Sequence, residues 1–185
     1  MRQGFDLSIN DYNRELFTVA KTVIEQKEGE SPVHIMLKMM AWALFYEPNL
    51  LIEPSDVDPQ YKPDLLLKGV DGFPQLWIEC GQVKTAKLDK LTSRYPDAYF
   101  VVLKLAERNA RDIFERCIKE VRRPYNLRHI GFDPHFIEDC ARHVTGKNDC
   151  TLIRSDNEIQ FLINGFDATS ELHWFIHEGP KYKGR

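Results

Sequence analysis

Pro63-Asp64-Leu65-Leu66-Leu67, resumed at Leu76-Trp77-Ile78-Glu79-Cys80-Gly81-Gln82, is the stretch on which the reading of this chain turns. The two leucine-rich runs are short and apolar, and Gly69-Val70-Asp71-Gly72 between them has the composition of a hairpin connection. They are therefore expected to form two buried strands side by side. Asp64 stands at the edge of the first run, and Glu79 follows it fifteen positions later at the edge of the second. A carboxylate beside a buried strand costs free energy unless something pairs with it or binds it. Two of them on neighbouring strands suit one hard divalent cation, which takes oxygen ligands. That is the layout of a metal-dependent phosphodiesterase site. The plainer alternative for Glu79 is a structural ion pair with Lys62, Lys68 or Lys87, and for Asp64 a turn-capping carboxylate.

Outward from this stretch, the pattern alternates strands with helices. Phe5, Leu7 and Ile9 alternate with polar residues, as in a strand, and Asn10-Asp11-Tyr12-Asn13 has turn chemistry. Residues 16–25 fit two templates: Leu16, Val19, Ala20, Val23 and Ile24 make a helical stripe, while the β-branched Thr18-Val19 and Thr22-Val23-Ile24 suit a strand. Ser31-Pro32 marks a helix start, with serine as N-cap and proline in the first turn. The apolar stripe of Val33, Met36, Leu37, Met40, Ala41 and Leu44 continues it, and Pro48 is its expected end. Residues 50–52 read as a strand, 84–93 as a helix, 99–103 as a buried strand with Tyr99 in the core, and 109–121 as a helix. Residues 127–132 read as a strand, and Asp133-Pro134 as the opening of a helix reaching about 143. Residues 150–153 and 158–163 pair as a hairpin around Ser155-Asp156-Asn157. The expected class is α/β (α+β), a mixed central β-sheet flanked by helices.

The chain of 185 residues is expected to form one domain over 1–180, with a flexible tail over 181–185. Hydrophobic residues make up 43%, enough for an ordinary globular core. No apolar run approaches the length of a membrane span, and Met1-Arg2-Gln3-Gly4-Phe5-Asp6 lacks the apolar core of a signal peptide, so a cytoplasmic location without membrane contact is expected. Cys80, Cys117, Cys140 and Cys150 are widely spaced and read as reduced thiols. The net charge of −3 does not mark a nucleic-acid binder as a whole. Its distribution is uneven: 47–79 holds seven acidic residues against Lys62 and Lys68, whereas 84–128 holds twelve Lys/Arg against six Asp/Glu. A phosphate-bearing partner, DNA or RNA, needs both halves, cation ligands and a positive surface. Taken alone, the basic block is a solvated helix face.

At this point the chain resembles the YaeQ family, a branch of the PD-(D/E)XK restriction-endonuclease-like superfamily. The resemblance lies in Leu7-Ser8-Ile9-Asn10-Asp11 with Asn13-Arg14, in the helix from Met36 to Leu44, in Pro63-Asp64-Leu65, and in Leu76-Trp77-Ile78-Glu79-Cys80-Gly81-Gln82. The later order of strand, helix, strand and terminal hairpin, through Asn126-Leu127 and on to Trp174, also fits. The resemblance implies a restriction-endonuclease-like sheet with N-terminal and C-terminal β-hairpins, and so favours strand for 16–25. It further implies that Asp64 and Glu79 hold Mg²⁺ or Mn²⁺, with the Cys80 backbone carbonyl as a third ligand. The superfamily's lysine stands two positions after the glutamate, where this chain has Gly81. Lys87 and Lys90 in the next helix are the replacements, Lys84 a poorer one, and Gln82 a polar group to position water. A glutamate from the first core helix is represented only by Glu30, a weak fourth metal ligand, because Val33 and His34 occupy the helical positions. The implied activity is metal-assisted phosphodiester hydrolysis. The alternative is a non-catalytic module that holds nucleic acid or a protein partner on the same fold.

Other signals are weaker. Cys140-x-x-His143 with Cys150 hints at zinc but lacks a fourth ligand at the usual spacing. His173 and His177, four apart, would share one face of a helix. Tyr95, Tyr125 and Phe132 sit among basic residues, as base-stacking aromatics do. Neither a nucleophile elbow nor a phosphate-cradling glycine loop is present.

Overall fold

The computed structural model describes residues 1–179; the tail expected over 181–185 lies outside the described residues. In chain order the elements are β1 (Arg2–Asp11), β2 (Leu16–Glu25), α1 (Pro32–Leu44), β3 (Leu51–Ile52), β4 (Leu65–Lys68), β5 (Pro74–Cys80), α2 (Thr85–Arg94) and β6 (Tyr99–Leu103). They continue with α3 (Glu107–Glu120), β7 (Leu127–Gly131), α4 (Phe136–Ala141), β8 (Lys147–Ser155), β9 (Glu158–Ile163), β10 (Phe166–Glu171) and β11 (His173–Ile176). The mixed α+β class stands, with the strands divided between two mixed sheets. One has the order β10-β9-β8-β1-β2 and the other β11-β7-β6-β5-β4-β3.

Residues 16–25 are a strand. Their side chains alternate between half-buried and exposed, Phe17, Val19 and Val23 facing solvent on an edge strand antiparallel to β1. On its other side β1 runs parallel to β8, with Gly4 opposite Lys147 and Asp11 opposite Arg154. The inward Phe5, Leu7 and Ile9 of β1 join Leu152 of β8, Phe161 of β9 and the apolar side chains of α1 from Ile35 to Leu44 in one apolar core. Every residue of α1 from Ile35 to Leu44 is buried, the pattern of a helix surrounded by protein. A second core on the far face of the other sheet gathers Trp77, Phe100 and Leu127 under Leu88 and Leu91 of α2 and Ile113 of α3.

Several local expectations are corrected. Helix α1 begins as read, with the Ser31 hydroxyl accepting from the His34 N–H at 3.2 Å, but it ends at Leu44, ahead of Pro48. The Arg14 guanidinium takes the carbonyls of Leu44 and Tyr46 at 3.4 and 2.8 Å, meeting the orphaned acceptors of the last turn. Helix α4 starts only at Phe136, because the Asp133 carboxylate is spent on His173 at 2.7 Å and on the Glu171 N–H at 3.0 Å rather than on capping. Tyr99 is 52% exposed at the rim of its sheet, with the Arg128 guanidinium 5.2 Å from its ring. Cys140 and Cys150 are buried free thiols, which burial pushes up to about 12, and His143 stacks on Phe166 at 4.1 Å; this is the buried-thiol reading of these residues, and they belong to no metal-holding group among the described residues.

His173 and His177 are not helical: His173 opens β11 and His177 follows its end. His177 Nε2 lies 3.2 Å from His129 Nε2, and His129 Nδ1 is buried with no partner among the described residues. Burial, with the charges of His177 and Lys104, holds His129 down to about 3, and burial holds His177 down to about 4. In the unfolded chain both titrate near 6.5, so below that pH the unfolded state binds more protons and folding loses stability as pH falls. Chemical denaturation is expected to show stability falling by up to about 1.4 kcal/mol per pH unit for each histidine. The decline runs between pH 6.5 and about 4. A His129→Phe variant flattens that slope.

Candidate functional site

The antiparallel register of β4 and β5 places Leu65 opposite Ile78. Asp64 is one residue before Leu65 and Glu79 one after Ile78, so the two carboxylates come from neighbouring positions on adjacent strands. The Asp64 N–H donates to the Ile78 carbonyl at 3.1 Å, and Asp64 Oδ2 accepts the Cys80 N–H at 2.7 Å. Burial alone would raise the Asp64 carboxyl, but the His34 and Cys80 hydrogen bonds and the charge of Lys38 hold it below the usual carboxylate range. Glu79 is buried; its Oε1 accepts the Trp77 indole N–H at 2.7 Å and lies 2.6 Å from Lys87 Nζ. Its Oε2 takes no hydrogen bond from the described residues. Burial pushes the Glu79 carboxyl up, and Lys87 and Trp77 do not fully offset it. Cys80 offers its backbone, not its sulfur: burial and the two nearby carboxylates drive the thiol well above its usual range.

On the α1 side of Asp64 stands a buried ion cluster. The Lys38 ammonium, 1% exposed, is hydrogen-bonded to Glu30 Oε1 and lies 2.6 Å from Glu53 Oε1 and 3.9 Å from Asp64 Oδ1. His34 Nε2 is 3.2 Å from Glu30 Oε1 and 3.5 Å from Asp64 Oδ1. Burial works against the Lys38 charge, yet the carboxylates hold its pKa above the ordinary lysine value. Glu53, reached also by Lys27 at 2.9 Å, is held below the usual range despite burial. Glu30 therefore serves Lys38 and His34, with its Oε2 accepting the Lys27 N–H at 3.0 Å.

Gly81 occupies the lysine position of the sequence pattern for a structural reason. Its φ is +78°, and a Cβ there would lie 3.3 Å from His34 Nδ1. A lysine at 81 would be strained in backbone and crowded by the imidazole. The ammonium beside Glu79 comes from Lys87 of α2.

A protein-family model, YaeQ protein, matches residues 3–171. The chain belongs to the YaeQ family. A crystal structure of YaeQ protein from Xanthomonas axonopodis pv. citri is similar at 23% identity with a TM-score of 0.80, covering 97% of this chain and 98% of that one. A YaeQ protein structure from Pseudomonas syringae is similar at 20% identity with a TM-score of 0.80, covering 96% and 97% respectively. These structures share the fold. No curated protein matches the chain.

Within this YaeQ fold, the residues singled out from sequence are brought together unevenly. Asp64, Glu79, Cys80 and Lys87 meet at the strand ends. Gln82 is exposed and lines an adjoining cleft with Lys84. Lys90 is exposed on α2 and makes no ion pair with the described residues. Among the described residues no three His, Cys, Asp or Glu side chains form a metal-holding group. Lys38, Glu53 and His34 were missed. For Lys38 the signal was there: it is the single charged residue between Ile35 and Leu44 in a helix otherwise apolar on every face. Glu53 carries no such signal, since its place depends on a backbone φ of +46° before the strand pair.

Proposed function

We propose that the Asp64–Glu79–Lys87 site is a PD-(D/E)XK-type centre for metal-assisted hydrolysis of a phosphodiester in nucleic acid. The observation that carries this reading is the pairing of a buried carboxylate, Glu79, and a half-buried one, Asp64, on adjacent strand ends, with the Lys87 ammonium 2.6 Å from Glu79. The donor set fits Mg²⁺ or Mn²⁺: its atoms are hard oxygens, and Mg²⁺ is commonly held by one or two carboxylates, with water and substrate phosphate completing the shell. Burial raises the Glu79 carboxyl more than Lys87 and Trp77 lower it, and a cation beside it would favour its ionised form. Asp64 and Glu79 would hold the ion, with the Cys80 carbonyl as a third oxygen. When bound, it would polarise the phosphate and lower the pKa of a water. Asp64 is kept ionised and oriented by the Cys80 N–H and His34. Lys87, tethered by Glu79 and by the Lys62 carbonyl at 3.2 Å, supplies positive charge to the phosphate as negative charge grows on it.

Calorimetric titration of Mn²⁺ into the wild-type protein and the Glu79→Ala variant tests the reading. Binding by the wild type that weakens at least about tenfold in the variant, about 1.4 kcal/mol, is the expected result. Absence of Mn²⁺ binding by the wild type, both alone and with a short oligonucleotide present, rules the reading out.

A second reading, a non-catalytic module for nucleic acid or a protein partner, is favoured by the Lys38 ammonium, which already supplies positive charge beside Asp64 and Glu30. It predicts partner binding that survives Glu79→Ala, with no cleavage in any divalent metal.

A further inference from the structure

A cleft of about 770 Å³ opens immediately beyond the Glu79 strand end, between the turn at Gly81, the start of α2 and the face of α3. Its walls carry three cations from three separate places: Lys84 before α2, Lys104 after β6 and Arg116 on α3. None of the three makes an ion pair with the described residues, and Asp112 is the one carboxylate among the lining residues. Lys104 is half-buried, with its Nζ turned to the Gly81 carbonyl at 2.5 Å. Burial, and after it the charge of Arg116, hold Lys104 below the ordinary lysine value. Two amide side chains, Gln82 and Asn109, also line the cleft and make no hydrogen bond with the described residues. The first turn of α2 closes one end: Thr85 and Ala86 line the same space, and the N-cap, Lys84, gives no side-chain hydrogen bond to the N–H groups of that turn.

We propose that this cleft seats a backbone phosphate and its nucleotide unit, next along the strand from the phosphate at Glu79 and Lys87. The assignment of the neighbouring phosphate rests on the phosphodiesterase reading given above. Cations without carboxylate partners, free amides and free helix N–H groups are the donors that take phosphate oxygens. The volume chooses between phosphate sources. A single inorganic phosphate leaves most of the space unfilled, whereas pockets of about 300–1,000 Å³ enclose a molecule of nucleotide size. Continuity with the acidic site also favours a polymer, because Lys84 at the N-cap of α2 lines the cleft while Lys87, three positions on in its first turn, stands at Glu79, so that one strand of backbone reaches both.

The test is anisotropy of a labelled single-stranded DNA oligonucleotide in EDTA, with wild type, Arg116→Glu, Lys84→Glu and the control Lys119→Glu. Lys119 is exposed on α3 and lies outside the cleft, yet its substitution changes net charge equally. Lys84→Glu puts an acid at a helix N-terminus, which favours α2, so lost binding there is not lost fold. Each cleft variant is expected to weaken binding about tenfold or more and to reduce the salt slope by about 1, while the control changes it by less than about threefold. Equal losses in cleft and control variants overturn the proposal, as does absence of oligonucleotide binding. Calorimetric binding of inorganic phosphate without oligonucleotide binding also overturns it, in favour of a small phosphate ligand. EDTA removes the divalent ion, so failure of the Mn²⁺ titration and failure of this cleft are separate results.

Discussion

Replacing Lys38 by methionine is expected to lower the unfolding free energy at neutral pH by about 3–5 kcal/mol, the usual cost of removing one partner of a buried ion pair. The ammonium sits among Glu30, Glu53 and Asp64, and its removal leaves three clustered carboxylates whose remaining described ion-pair partners are the His34 imidazole and the more exposed Lys27. The pH dependence separates this cause from lost packing. Glu53 and Asp64 are held below their unfolded values, so their contribution is present above those values, 4.5 and 3.8, and is lost as pH falls through the folded ones. Lys38 is raised above 10.5, so its own contribution persists through neutral pH and disappears only as pH rises past the folded value. The wild type and Lys38→Met are therefore expected to converge in stability as acid protonates the carboxylates. Urea denaturation across pH checks this. A deficit of the same size at about pH 3 assigns the loss to packing instead.

On the phosphodiesterase reading proposed above, replacing Lys87 by methionine is expected to reduce turnover about 10²–10³-fold, the typical loss when one donor that stabilises transition-state charge is removed. Lys90→Met, on the same helix without an ion pair to the site, is the matched control and leaves turnover nearly unchanged. A purely structural Lys87 is distinguished by the pH profile. The Glu79 carboxyl is already raised by burial, with Lys87 the largest opposing influence. Removing the ammonium raises it further, so a higher pH is needed to ionise it. The acid limb of Mn²⁺ binding is expected to move upward in Lys87→Met and to stay in place in Lys90→Met. Mn²⁺ titrations at several pH values read this directly, whatever the turnover.

The strand pair around Asp64 and Glu79 was legible because its information is local: apolar runs, a hairpin composition between them, and carboxylates at their edges. The start of α1 was legible for the same reason, a serine cap followed by proline. Residues 16–25 were ambiguous because β-branched residues at helical spacing satisfy both templates, and only pairing with β1 decides between them. The division into two sheets was not legible. It depends on β1 running parallel to β8 across most of the chain, and no local pattern encodes that partner. At the site, the acids were found and the buried cation was not. Charge in an apolar helix invites placement on a solvated face, yet Lys38 is fully enclosed by carboxylates from segments distant in sequence. Gly81 reads from sequence as a missing lysine. In three dimensions its positive φ beside the His34 ring shows a position that lysine does not suit, with the charge carried by the next helix.

The pairing of β1 with β8 also bears on how the chain is made. The hairpin of β1 and β2 leaves the ribosome ahead of the strand that completes its sheet, which begins at Lys147 and is translated on the order of ten seconds later at ordinary elongation rates. Throughout that interval Phe5, Leu7 and Ile9 have only a partial cover, and one edge of β1 offers unpaired backbone groups to any passing strand. Until β8 arrives, the open edge of β1 is thus a place where the nascent chain is exposed to misassociation.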